Sequence, residues 1–362
     1  MLMDSLFYDF HSMDSKIAPT VRDEEYCYGP EGKKGSFWTP FLSFPITQTC
    51  NFRCVYCGAG GEATASEKRL ISVDYIDKIV HQAAAKGVKK FRITGGEPFT
   101  HPDIDKILEL MNSFGYFTLI NTNGSLISRH HSIIEKLNSN FRFAVSFDTL
   151  QPNKLESISG SPLHKEVVDG VHLLSERGLL MRLNTVVTTH NYDEIPAIIE
   201  FCEELHCDLK LLDVVSVPVP FGQRSSVYQE ISTLETQFAQ TCDEILFHEY
   251  TRGFGTPCRR YRFGSVCVTV KNSVKGSHYD CEGADAICAN CPYFPCHEGL
   301  YDLFALSDGR ICSCRWTEKQ RYTDSSDQLD YLIRAFRRSK YVNRNGNDDM
   351  KAREDLSKRI HE

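Results

Sequence analysis

The densest chemistry in this 362-residue chain lies in nine residues, Thr49-Cys50-Asn51-Phe52-Arg53-Cys54-Val55-Tyr56-Cys57. Three thiols separated by three and then two residues can wrap one face of a metal group. Soft sulfur ligands suit an iron–sulfur cluster; a zinc ion with a distant fourth ligand is the alternative. No fourth cysteine stands nearby, so a cubane held here keeps one iron open to another ligand, as a catalytic cluster needs.

A second concentration follows late in the chain, where eight of the fifteen cysteines fall between Cys258 and Cys314. Cys281, Cys288, Cys291 and Cys296 are spaced by six, two and four residues, and Cys312 and Cys314 by one. That is too many at ligand spacing for packing alone. One auxiliary [4Fe–4S] cluster, or two, is the expectation, with a structural zinc knuckle as the alternative. Cys27, Cys202, Cys207 and Cys242 stand apart and read as small buried hydrophobes. Residues 1–20 show neither a basic n-region nor a sustained apolar run, so no signal peptide is expected, and the clustering favours metal ligation over disulfides.

These groups need a scaffold, and the stretch 41–215 supplies one by alternating short apolar runs with longer amphipathic ones. Strands are expected over 41–47, 88–94, 116–122, 141–147, 180–187 and 209–215. Helices are expected over 72–86 with Ser72 as N-cap, over 103–114 ended by Gly115, near 132–138, over 165–177 and over 193–205. Such strand–helix steps imply an α/β fold with a parallel sheet, doubly wound or curled into a barrel, whose active site lies at the C-terminal strand ends. Polar and glycine-rich stretches sit at those ends: Gly95-Gly96-Glu97-Pro98, Thr122-Asn123-Gly124, and Ser146-Phe147-Asp148. A glycine pair lets backbone approach a ligand closely. A carboxylate is a natural partner for an ammonium group. Beyond 215 a Pro/Gly connector leads to a helical pattern over 233–248, a Cys-, Gly- and Pro-rich stretch over 251–316, and a last helix over 326–338. The expected organisation is an N-terminal extension (1–40), a barrel (41–220), a Cys-rich module (221–340) and a charged tail (341–362).

CxxxCxxC after a first strand, with the aromatic Tyr56 before the last cysteine, resembles the signature of the radical S-adenosylmethionine (SAM) superfamily. The resemblance implies a partial (β/α)6 barrel and a [4Fe–4S] cluster on Cys50, Cys54 and Cys57. It implies that SAM binds the open iron and is cleaved by one electron to a 5′-deoxyadenosyl radical, which takes hydrogen from a substrate. Gly95, Gly96 and Glu97 resemble the family's GGE motif, whose backbone and carboxylate hold the SAM amino group. Thr122, Asn123 and Ser146 lie in stretches that resemble ones supplying polar contacts near SAM or substrate, and the resemblance implies that Arg182 and Asn184 reach the ribose or carboxylate. An electron donor such as flavodoxin or ferredoxin is implied.

From 41 to 316 the chain resembles the branch containing the GTP 3′,8-cyclase of molybdenum-cofactor biosynthesis, on Ala144–Asp148, Ser159-Gly160 and the Leu183–Val187 run. Leu306-Ser307-Asp308-Gly309-Arg310-Ile311-Cys312-Ser313-Cys314 resembles that branch's hairpin, and Asp308-Gly309 suits a two-residue turn. The resemblance implies Cys288, Cys291, Cys296 and Cys314 as auxiliary ligands in a twitch-like module. Cys258, Cys267 and Cys281 are similar to the longer SPASM extension of peptide-modifying relatives. Two departures set the chain apart from the cyclase: Cys296 is followed by His-Glu-Gly-Leu-Tyr-Asp-Leu-Phe with no arginine, and the last residues are Arg-Ile-His-Glu in place of Gly-Gly.

A net charge of −7 without a basic run argues against nucleic acid as a partner. No stretch approaches the roughly 18–20 apolar residues of a membrane span. A cytoplasmic enzyme acting on a small polar metabolite, such as a nucleoside, nucleotide or sugar derivative, is therefore expected. A SPASM-type peptide maturase is the alternative, and a metal-bound scaffold or electron carrier is the alternative of another class. His101, His190, His278 and His297 are available as acids or bases, and each reads more readily as structural.

Overall fold

The computed structural model describes residues 11–12, 41–57, 70–215, 225–249, 258–272, 277–280, 302–314, 329, 332 and 340–343. Six parallel strands form its centre: β1 (Phe41–Pro45), β2 (Lys90–Thr94), β3 (Phe117–Thr122), β4 (Phe141–Ser146), β5 (Leu180–Val186) and β6 (Asp208–Leu212). They pair in chain order, each with the next. Between them run α1 (Val73–Ala85), α2 (Ile104–Phe114), α3 (Pro152–Ser159), α4 (His164–Glu176) and α5 (Ile195–Glu204), with only a short turn of helix, His131–Ile134, between β3 and β4. A consecutive order without reversal belongs to a barrel wall; a doubly wound sheet reverses at a switch point.

The in-register pairs fix the two faces, because neighbours side by side point the same way. Rows such as Phe44–Ile93–Ile120–Phe143 carry the face covered by helices, and these residues belong to the main core. The opposite rows are Ser43–Arg92–Leu119–Arg142, Asn121–Ala144–Arg182–Asp208 and Ser146–Asn184–Lys210. That second face is concave: the rings of Phe41 on β1 and Phe117 on β3 come within 5.8 Å, although two strand spacings of a flat sheet separate side chains by about 9–10 Å. Phe41, Leu119 and Ala144 with Phe117 and Met181 form a small apolar cluster there.

The barrel stays open, and later strands extend both of its edges. After α6 (Ser232–Thr241) come β7 (Glu244–Glu249), β8 (Cys258–Phe263) and β9 (Val266–Lys271); β9 pairs parallel with β6, and β8 and β7 follow antiparallel. The two-residue strand His11–Ser12 adds to β7. β10 (Ser277–Asp280) pairs with the last described strand, β13 (Lys340–Asn343), in a separate ribbon. At the other edge β11 (Asp302–Ala305) runs parallel to β1, and β12 (Ile311–Cys312) returns antiparallel.

Local signals hold where they are self-contained. Ser72 caps α1 by accepting from the Tyr75 N–H at 3.2 Å. The helix expected over 233–248 is a correction: it ends at Thr241, Cys242 turns extended, and 244–249 is strand β7, because β8 offers a ladder that a local pattern does not reveal. Helix α3 escaped the sequence reading, since its eight residues begin at Pro152 and bury few apolar side chains. Of the helix expected over 326–338 only Leu329 and Leu332 are described, both helical. Apart from 11–12, the expected extension 1–40 lies outside the described residues, as does the tail apart from 341–343. Among the described residues no helix is long and apolar enough to cross a membrane.

Candidate active site at the C-terminal strand ends

The loop that leaves β1 carries all three thiols of the first motif, and the neighbouring strand ends tie it down in succession. The N–H groups of Gly96 and Glu97, just past β2, donate to the carbonyls of Thr47 and Thr49 at 2.8 Å each. The Thr100 hydroxyl adds a bond to Thr49 at 3.1 Å. Just past β3, the Asn123 amide donates to Asn51 at 2.8 Å, and the Asn51 amide donates to the Ser125 hydroxyl at 2.9 Å. At the end of α3, the carbonyls of Ser159 and Ile158 accept from the N–H groups of Arg53 and Val55 at 2.7 and 2.9 Å. The Arg53 guanidinium folds back onto the carbonyls of Cys50 and Phe52.

Gly95 and Gly96 serve this packing directly. A Cβ on Gly95 would run into the Thr47 backbone, and one on Gly96 into the Thr49 carbonyl; Gly95 also holds φ +148°. The sequence suggested close approach to a ligand. The structure shows close approach to the chain's own thiol-bearing loop.

Glu97, 1% exposed, sits behind that contact. One carboxylate oxygen accepts from the Thr122 hydroxyl at 2.6 Å and the Phe99 N–H at 3.1 Å, the other from the Asn123 N–H at 2.6 Å. Burial pushes its carboxyl up to about 7 against the pull of those hydrogen bonds. The Asn123 side-chain oxygen accepts from the N–H and hydroxyl of Ser125 at 3.0 and 2.7 Å. Glu97, Thr122 and Asn123 thus form one braced unit.

Cys50 and Cys54 are half-buried and Cys57 is exposed. Burial pushes the Cys50 thiol up to about 11 and raises Cys54 further, with the Asp148 carboxylate adding to the effect on Cys54; negative charge on any of the three opposes the others. Three thiolates facing one another call for a group that brings positive charge. Among the described residues no three His, Cys, Asp or Glu side chains close around a single metal ion. A cubane takes soft thiolates at separate corners, and a donor set of three cysteines on one loop fits such a cluster.

A model of the radical SAM superfamily matches residues 44–202, from β1 into α5. The GTP 3′,8-cyclase of Rhizobium etli is 29% identical over 288 residues, covering 74% of this chain and 80% of its own. That of Stenotrophomonas maltophilia strain K279a is 33% identical over 254 residues, covering 66% of this chain and 75% of its own. This chain belongs to the radical SAM superfamily. It is therefore an enzyme of a family that uses a [4Fe–4S] cluster and SAM. The fold agrees: Streptococcus suis SuiB bound to SAM is 18% identical with a TM-score of 0.57, the match covering 81% of this chain and 65% of SuiB's length.

In this radical SAM chain the remaining polar candidates stand on the concave face. Ser146 is exposed at the end of β4, next to Asn184 on β5. The Arg182 Nε donates to the Asn184 side-chain oxygen at 3.0 Å. The Tyr56 phenol donates to the Asp148 carboxylate, a residue the sequence reading placed at a strand end without assigning it to the site. Asn51, Ser125 and Arg53 also went unassigned; their only sequence signal is adjacency to the motifs. His101 is structural: it is 3% exposed, its Nδ1 accepts from the Asp103 N–H, and its Nε2 reaches the Ile71 carbonyl at 3.1 Å.

Cys288, Cys291 and Cys296 lie outside the described residues. Cys314 is half-buried, two residues past the buried Cys312. The expected hairpin is present, but its loop has three residues, Ser307 to Gly309, closed by the Leu306 N–H on the Arg310 carbonyl at 2.8 Å; a tight two-residue turn was expected. Its backbone carries Cys312 to the level of Ser43, and Cys314 toward the N-terminal end of β1, away from Cys50. Cys50, Cys54, Cys57, Cys202, Cys207, Cys242, Cys267, Cys312 and Cys314 are in no disulfide.

Proposed function

We propose that this radical SAM enzyme acts on a small polar metabolite (a nucleoside, nucleotide or sugar derivative) in a cytoplasmic biosynthetic pathway. The carrying observation is the concave face, where Arg92, Asn121, Arg182, Asn184 and Lys210, with Asp208 among them, line the wall between the first thiol motif and the hairpin bearing Cys314. Such a polar and basic wall suits an anionic or hydroxyl-rich molecule. The relatives at 29–33% identity, named GTP 3′,8-cyclase, support a substrate of that class. The likeness to SuiB is one of fold and gives a peptide substrate no comparable support.

In this reading Cys50, Cys54 and Cys57 hold the catalytic cluster. Tyr56, the backbone of Gly95 and Gly96, and the side chains of Ser146, Arg182 and Asn184 line the SAM seat. Glu97, Thr122 and Asn123 shape it from behind, through the bonds that fix the thiol-bearing loop. Cluster and SAM, when bound, supply the carbon radical that takes hydrogen from the substrate; the protein supplies orientation and exclusion of water. Cys288, Cys291, Cys296 and Cys314 are the proposed ligands of an auxiliary [4Fe–4S] cluster, and a flavodoxin or ferredoxin is the proposed electron donor.

Anaerobically reconstituted protein with SAM and a strong reductant should release 5′-deoxyadenosine, and Cys57→Ala should not. Addition of nucleotides, nucleosides and sugar nucleotides one by one should identify a compound that accelerates release. Acceleration by peptides alone would overturn the small-metabolite reading while leaving the family assignment intact.

A further inference from the structure

The Tyr56–Asp148 contact joins residues 92 apart in the chain. Asp148 is 5% exposed and held on several sides. One carboxylate oxygen accepts from the Val186 N–H at 2.9 Å, at the end of β5. Its backbone carbonyl accepts from the Asn191 amide at 2.8 Å, and the same amide reaches the Val186 carbonyl at 2.9 Å. Asn191, fully buried, is locked in turn by the N–H and hydroxyl of Thr188 on its side-chain oxygen, at 2.7 and 3.1 Å. The remaining carboxylate oxygen of Asp148 takes the Tyr56 phenol. Tyr56 lies between Cys54 and Cys57, in a turn closed by the Cys57 N–H on the Cys54 carbonyl at 3.0 Å.

The other ties on this loop act upstream of Tyr56: on Thr47 and Thr49 from β2, on Asn51 from β3, and on Arg53 and Val55 from α3. Among the described hydrogen bonds, two reach from other elements to the turn carrying the second and third thiols, the Val55 N–H on the Ile158 carbonyl at 2.9 Å and the Asp148 contact, and the latter holds the residue next to Cys57. We infer that Asp148 is a positioning residue: anchored on β5 and Asn191, it grips the Tyr56 phenol and so fixes the Cys54–Cys57 turn to the barrel wall. Asp148 touches no reacting group in this account. What it requires is a hydrogen-bonding partner of the right shape for the phenol, not a negative charge.

The test is iron release to a chelator from anaerobically reconstituted protein without SAM, so that the readout is independent of turnover. Tyr56→Phe keeps the ring and loses the hydroxyl; Asp148→Ala loses the grip. Each should release iron about fivefold to tenfold faster than wild type, the consequence of losing one hydrogen bond. The double variant should be no faster than the faster single one, since both remove the same link. Asp148→Asn should return to near the wild-type rate, because its oxygen still accepts from Val186 while its amide donates to the phenol oxygen. Wild-type release from Tyr56→Phe would overturn the inference even if Asp148→Ala failed to fold. Additive effects in the double variant, or Asp148→Asn releasing as fast as Asp148→Ala, would also overturn it, the last by making charge the requirement.

Discussion

Gly96→Ala tests whether the glycine pair serves the loop before it serves any ligand. The added methyl would meet the Thr49 carbonyl carbon at 2.6 Å and the Gln48 oxygen at 3.0 Å, and both are backbone, so the loop has to move. Forcing a methyl into such a contact costs about 1–3 kcal/mol. Moving the loop also strains the bonds from Gly96 to Thr47 and from Glu97 to Thr49, each worth about 1 kcal/mol. The sum is about 3–5 kcal/mol, a large share of the roughly 5–15 kcal/mol by which a folded domain is stable.

The assay is urea denaturation of the iron-free protein, paired with iron content after reconstitution. Gly115→Ala is the control: Gly115 lies in open space at φ +65°, so alanine there costs about 1–2 kcal/mol of backbone strain and touches nothing near the thiols. The Gly96 variant should unfold at lower urea than the control and take up less iron, because the displaced Thr49 leads directly into Cys50. Equal midpoints and full iron in both variants would refute the reasoning, and would return the glycine pair to a role at the ligand alone.

The Glu97 carboxyl, raised by burial to about 7 from an ordinary value near 4.5, predicts a pH dependence for the iron-free protein. The folded state holds this proton more tightly than the unfolded chain, so its contribution is complete below about 4.5 and is lost as pH rises through 7, to a total of about 3 kcal/mol. Denaturation midpoints from pH 5 to pH 8 should fall in wild type and fall less in Glu97→Gln; parallel slopes would contradict this origin. Cys202→Ala should cost about 1 kcal/mol of stability and leave iron content and SAM cleavage unchanged, since Cys202 and Cys207 are buried against one another where α5 passes into β6. Loss of iron in that variant would show that the residue is more than packing.

What the sequence displayed was local. Ser72 before an amphipathic run and three cysteines at ligand spacing each carry their message within a dozen residues; the structure shows Ser72 as the cap and the cysteines on the loop that leaves β1. What it hid was pairing across the chain. The 233–248 run fits a helical pattern until Thr241, and only the partner strand β8 makes the rest extended. The motif glycines were visible as sites of close approach, but their partner, the Thr47–Thr49 backbone, could have been a ligand as far as spacing could tell. Asp148 shows the same limit, because nothing within its own stretch points to a phenol 92 positions away.

The fastening of the thiol-bearing loop bears on how metal and fold are coupled. In small zinc domains the metal supplies the core, and the apo chain is unfolded. Here the helix-covered face of the barrel is filled by residues such as Phe44, Phe91, Ile120 and Phe143, none of which depends on a thiol. The loop itself is bonded to segments at the ends of β2, β3, α3 and β4 through Gly96, Asn123, Ser159 and Asp148. Burial and the charges around them hold Cys50 and Cys54 as neutral thiols in that arrangement, so their ionisation awaits the positive charge of a metal group. The barrel therefore sets the position of the three sulfurs, and the cluster is not a condition of folding.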